Sequence, residues 1–115
     1  MSNASDAIVV FITAPTLEES KRLADRLVEA RLAACVQILP QMESVYRWEG
    51  KVERQAEHLL IAKTTADRFA ELENEVRALH SYDTPEIVSF PLTESSPEYL
   101  NWLRQSVAPS KDDDS

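Results

Sequence analysis

The order of apolar runs along the chain predicts an α+β fold, a ferredoxin-like β-α-β-β-α-β sandwich with an extra C-terminal helix. Three observations carry that prediction. Two segments with helical apolar spacing each lie between extended apolar runs. The single glycine falls where two strand-like runs must reverse. The 115 residues are enough for one compact domain and too few for two ordinary ones. That domain is expected over residues 8–107, with 1–7 and 108–115 as flexible termini. Ser2-Asn3-Ala4 reads as a cloning remnant and carries no weight in the fold.

Ile8-Val9-Val10-Phe11-Ile12 is a continuous apolar run, the pattern of a strand buried on both faces. It ends at Thr13-Ala14-Pro15, and Thr16-Leu17-Glu18-Glu19 follows as a capping box. The helix behind it carries an apolar stripe of Leu17, Leu23, Ala24, Leu27, Val28 and Leu32. A second strand starts near Ala33 and meets Pro40, which has no N–H to donate, so an edge or a bulge is expected there. Ser44–Trp48 is extended again, Glu49-Gly50-Lys51 turns the chain, and a third strand peaks at Leu59-Leu60-Ile61-Ala62.

Thr64 is the expected N-cap of a second helix, with Asp67 three residues on and an apolar face of Phe69, Leu72, Val76 and Leu79. Ile87-Val88-Ser89-Phe90 forms the fourth strand, entered through Thr84-Pro85. Ser95-Ser96-Pro97-Glu98 opens the last helix with a proline in its first turn, and Tyr99, Leu100, Trp102 and Leu103 are available for packing.

Composition narrows the function. The formal charge is −8, and Lys111 with the three aspartates at 112–114 accounts for only −2 of it. A surface of that sign repels phosphate backbones and anionic lipid, so no nucleic-acid or membrane partner is expected and a cation is the better candidate. One cysteine excludes an internal disulfide, which fits a reducing, cytoplasmic setting. The first residues have neither a basic start nor an apolar core, so no signal peptide is expected. Nothing places a Ser-His-Asp or Cys-His pairing, so an enzyme is not the expectation.

Several separate segments resemble the CutA family: Ile12-Thr13-Ala14-Pro15, Leu32-Ala33-Ala34-Cys35-Val36, Tyr46-Arg47-Trp48-Glu49-Gly50-Lys51, Lys63-Thr64-Thr65, His80 to Ile87, and Tyr99-Leu100-Asn101-Trp102-Leu103. The resemblance covers roughly residues 8–107 in order. It implies a PII-like homotrimer whose long hairpins extend sheets between subunits. It also implies a cytoplasmic divalent-cation tolerance protein, a metal-binding or signalling module involved in the response to metal ions, copper among them. A non-catalytic scaffold or assembly protein is the alternative, and a small-molecule-processing enzyme a more distant one.

The donors for a metal are few: Cys35, His58 and His80, with no paired spacing. His80 is the candidate ligand for a weakly bound copper or other divalent cation. The competing reading is that His80 ends the second helix and bonds its last carbonyls. Where some CutA members carry a cysteine and a histidine, this chain has Ile12 and Leu79, two donors fewer. Cys35, between Ala34 and Val36, reads as a small buried hydrophobe. Lys63, Tyr82, Glu86, Trp48 and Trp102 form the second candidate constellation, aromatic walls with a Lys–Glu pair at a subunit cleft suited to a small polar or anionic ligand. The alternative for them is an intersubunit salt bridge with packing aromatics.

Overall fold

The computed structural model describes residues 6–109. Its elements are β1 (Ala7–Ala14), α1 (Leu17–Glu29), β2 (Cys35–Trp48), β3 (Lys51–Thr65), a single 3-10 turn at Ala66–Arg68, α2 (Phe69–Leu79), β4 (Ile87–Pro91) and α3 (Pro97–Val107). The four strands form one sheet in the order β2-β3-β1-β4. All its pairings are antiparallel. That is the ferredoxin-like order, with β1 and β3 inside and β2 and β4 at the edges.

The central place of β1 explains its unbroken apolar run. Ile8, Val10, Ile12 and Ala14 face α1 and α2, where they join Leu23, Leu27, Leu60, Leu72 and Val76 in the main core. Ala7 faces the opposite side and packs with Ala34, Leu100, Leu103 and Val107 beneath α3. The expected flexible termini lie mainly outside the described residues, but three of their positions are held, Asp6, Ala7 and Ala108, the last through its carbonyl to Arg31. Ala7 belongs to β1, and Asp6 receives a two-pronged bond from the Arg104 guanidinium at 2.9 and 2.6 Å. That bond holds the Asp6 carboxyl below the usual carboxylate range.

α1 begins as its capping residue demands, with Thr16 Oγ1 accepting from the Glu19 N–H at 3.1 Å. The other half of the capping box is not made, because the Glu19 carboxylate turns away to the Ser81 N–H. The apolar stripe is also narrower than its sequence suggests. Leu17 and Val28 are exposed, since at about 100° per residue both fall about 100° or more to the same side of the Leu23–Leu27 line. α2 starts later than expected. Ladder pairing with β1 carries β3 through Thr65, so Thr64 is a buried strand residue whose hydroxyl has no hydrogen-bond partner. Its intended cap role is lost to the sheet, and Thr65 bonds Asp67 instead. Leu79, expected in the core, is exposed at the end of α2.

Pro40 meets both expectations. β2 is an edge strand, and its register steps from Leu39↔Leu59 to Met42↔Glu57, three residues against two, which is a β-bulge. The hairpin closes with Glu49 at φ 50° and Gly50 at φ 79° between the paired Trp48 and Lys51. Two consecutive left-handed residues are the signature of the I′ turn that matches strand twist. β3 pairs with β1 only from His58 to Thr65, so Lys51–Glu57 and the facing part of β2 form a two-stranded ribbon beyond the sheet. A final feature anchors α3. Arg31, itself in the left-handed region at φ 61°, donates to the carbonyls of Ala108 and Gln105, and Arg68 donates to that of Val107.

Candidate functional site

His80 follows α2, and its ring is completely buried where the ends of β1, α1 and α2 meet. Its Nε2 lies 2.7 Å from the Thr13 carbonyl oxygen, and a carbonyl only accepts, so Nε2 carries the proton. Its Nδ1 accepts the Tyr82 N–H at 3.0 Å. Glu19 Oε2 sits 3.3 Å from the same Nδ1 while accepting the Ser81 N–H. The imidazole therefore ties β1 to the loop after α2 rather than bonding α2's last carbonyls, as the helix-end reading had it. A metal ion at either ring nitrogen has to displace one of these partners.

Tyr82 continues the network outward. Its hydroxyl accepts from Gln55 Nε2 at 2.7 Å and donates to Glu57 Oε2 at 3.1 Å, while Tyr46 donates to Gln55 Oε1 at 3.0 Å. All these bonds run in one direction, from Tyr46 through Gln55 and Tyr82 to the Glu57 carboxylate. Burial and then the adjacent carboxylate push the Tyr82 phenol up to about 12. Glu57 itself is only 7% exposed.

A second cluster lies beneath α3. Lys63 Nζ donates to Gln37 at 2.9 Å and stands 5.7 Å from the centre of the Tyr99 ring. The Tyr99 hydroxyl is 3.7 Å from Cys35 Sγ, and its ring packs on Trp102 at 5.4 Å. Burial, followed by the Cys35 contact, pushes Tyr99 up to about 12. Cys35 is half-buried and polar-contacted, not the fully enclosed hydrophobe expected of it.

The five residues Lys63, Tyr82, Glu86, Trp48 and Trp102 do not converge within one chain. Lys63 and Trp102 share the α3 cluster, Tyr82 belongs to the His80 network, and Trp48 stands 57% exposed at the hairpin tip. Lys63 pairs with Val9 on one side of β1, whereas Ile87, next to Glu86, pairs with Ile12 on the other. Roughly 14 Å of sheet thus separates the backbones at Lys63 and Ile87, and no Lys63–Glu86 pair forms inside the subunit. The residues that sequence reasoning passed over are Glu19, Gln55, Glu57 and Tyr46. Gln55 and Glu57 alternate with Ala56 and His58 in a way that reads as a solvated strand face, so their burial carried no sequence signal.

Among the described residues, no group of three or more His, Cys, Asp or Glu side chains is placed to hold a metal ion. With both His80 nitrogens engaged, the subunit alone does not fit a resident copper site. A depression of about 450 Å³ opens between the end of β3 and α3, lined by none of the residues of either cluster. Its carboxylates are already engaged, Asp6 by Arg104 and Asp67 by Thr65, so it reads as a seam between elements.

Residues 8–106 match the family model described as CutA1 divalent ion tolerance protein. The chain belongs to the CutA family. It is 50% identical over 99 residues to the divalent-cation tolerance protein CutA of Thermus thermophilus, covering 86% of this chain and 96% of that protein. It is 47% identical over 106 residues to the chloroplastic CutA protein of Arabidopsis thaliana, but spans only 58% of that longer protein. Among solved structures, the protein from Archaeoglobus fulgidus described as a periplasmic divalent cation tolerance protein CutA superposes with a TM-score of 0.86 at 44% identity, covering 89% of this chain and 99% of that one.

Proposed function

We propose that this chain works as a non-catalytic, trimeric binding or signalling module of the divalent-cation tolerance type, responsive to copper or a similar ion. One observation carries the reading: the sheet face opposite α1 and α2 is covered by α3 at one end only. By register, Phe11, Leu39, Leu59, Ile61, Val88 and Phe90 share that face, and Leu39, Val88 and Phe90 are 45%, 49% and 43% exposed. An apolar sheet face bare in the monomer marks an association surface. The hairpin supports the same reading. Its outer ribbon carries exposed Val45, Tyr46, Trp48 and Val52, and a free two-stranded ribbon is at best marginally stable in water.

Association also gives the scattered residues a place to meet, with Lys63, Trp102 and Trp48 from one copy facing Glu86 and Tyr82 of another around a small polar ligand. Any copper or zinc is bound weakly, since His80 must surrender a hydrogen bond to take it. The acidic charge and lone cysteine support a cytoplasmic site of action, and cell fractionation tests this against the periplasmic location in the Archaeoglobus protein's name.

Light scattering decides the core of the proposal. The expected mass is three times 13.0 kDa, and Phe90→Asp, placing a charge on the bare face, is expected to dissociate it. A single-chain mass for the unmodified protein at micromolar concentration refutes the proposal.

A further inference from the structure

The hairpin base offers a site that neither the His80 junction nor the α3 cluster uses. Glu57 is nine-tenths buried and accepts one bond, from Tyr82, at Oε2. Among the described residues its Oε1 makes no hydrogen bond, and no lysine, arginine or histidine forms an ion pair with it. A carboxylate offers about four lone-pair positions, and Oε1, not being among the enclosed unpartnered atoms, is open to a donor from outside. The surroundings are set for one sign of charge. The pairings Met42↔Glu57, Ser44↔Gln55, Tyr46↔Glu53 and Trp48↔Lys51 put Tyr46, Trp48, Glu53 and Glu57 on one face of the ribbon. Tyr82 closes the inner end of that face through its bonds to Gln55 and Glu57. At the inner end, Glu57 with the Tyr82 and Tyr46 rings suits a cation whose flat or alkylated body lies on the rings, while Lys51 stands at the tip opposite Trp48, six residues along β3 from Glu57.

We infer that Glu57, Tyr82 and Tyr46 form a subsite for an ammonium or guanidinium cation, held by charge-assisted hydrogen bonds to Glu57. This rests on the module reading above and names the chemistry of one of its ligand positions, a cation rather than the anion that Lys63 alone suggests. Two sources present that chemistry: a free organic amine or guanidine, and the Arg47 or Lys51 side chain of a second copy's hairpin. Neither Arg47 nor Lys51 forms an ion pair within its own chain among the described residues.

The test is a titration of the full chain with propylguanidinium chloride, followed by the Gln55 side-chain amide and Trp48 indole NMR signals. Sodium chloride and N-propylurea are the matched controls, and the mass is measured alongside. A saturable shift with propylguanidinium alone, weakened about tenfold or more in Glu57→Gln with mass unchanged, identifies the free cation. No shift in the unmodified protein, with a lower mass in Glu57→Gln and the same loss in Arg47→Gln or Lys51→Gln, identifies the second copy. If Glu57→Gln does not fold, Glu53→Gln and Tyr46→Phe, both at exposed positions, are read in its place and are expected to weaken the same shift or the same association. No selective shift and no change of mass in any variant overturns the inference. A single-chain mass for the unmodified protein refutes the trimer but leaves the titration to decide this subsite.

Discussion

Replacing Arg31 separates backbone strain from side-chain capping, because both meet at that residue. Arg31 follows α1 with φ 61°, a conformation that costs an L-residue about 1–2 kcal/mol and glycine almost nothing. Its guanidinium donates to the carbonyls of Ala108 at 2.8 Å and Gln105 at 3.0 Å, the unsatisfied end of α3. A hydrogen bond involving a charged group contributes about 1.5–3 kcal/mol when buried. Arg31 is half-exposed, so the pair together is nearer about 2–3 kcal/mol, including the favourable cation at the negative end of the helix dipole. Arg31→Gly therefore trades about 1 kcal/mol of relief against that loss and should destabilise by about 1–2 kcal/mol. Arg31→Ala keeps the strain and should lose about 2–3 kcal/mol. The loss should be local, so hydrogen exchange is the assay. Amides near the end of α3, at Leu103 to Ala108, should exchange faster in both variants, with α2 amides unchanged. An Arg31→Gly protein that is more stable than the original, with α3 exchange unaltered, refutes the capping account.

Other outcomes follow from the same geometry. Tyr82 and Tyr99 titrate near about 12 in the folded chain, against about 10 when unfolded. The folded state thus keeps protons that the unfolded state has already released, and their contribution is complete below about pH 10 and lost as pH rises towards about 12. Urea midpoints across that window should fall less steeply in Tyr82→Phe and Tyr99→Phe, and an unchanged slope in both contradicts it. Copper(II) calorimetry should show weak binding, and nanomolar affinity refutes the view that His80 is committed to Thr13 and Tyr82. Lys63→Met and Glu86→Gln should each shift melting by the equivalent of under about 1 kcal/mol and add in the double variant. Recovery in the double variant instead refutes their independence and pairs them across a subunit boundary.

Much of the topology was legible because local chemistry and tertiary demand agree. Thr16 does cap α1, Gly50 does complete the turn and Pro40 does sit at a bulge on an edge. Failures came where the sheet outbid local preference, as at Thr64, whose strand pairing with Ile8 overrides its fitness as a cap. The site was less legible for a related reason. His80 and Thr13 are 67 residues apart, and Glu57 is buried by Tyr82 from a distant loop. Alternation reports which side of a strand a residue takes, but not what another part of the chain will lay over it.

The extra residue at the bulge acts as a phase shift in the strand's two-residue rhythm. Before it, Cys35, Gln37 and Leu39 share a face with Lys63, Ile61 and Leu59; after it, that face passes to the even-numbered Met42, Ser44, Tyr46 and Trp48. Without the added step, Val45 and Arg47 would stand there and both aromatic rings would point the other way. A deletion of Gln41 would close the bulge and still leave Met42 opposite Glu57 and Tyr46 opposite Glu53, whereas regular pairing with Gln41 retained would exchange the two sides of the outer hairpin. The bulge, beside the Met42↔Glu57 pair, sets which chemistry the ribbon offers and which it turns away.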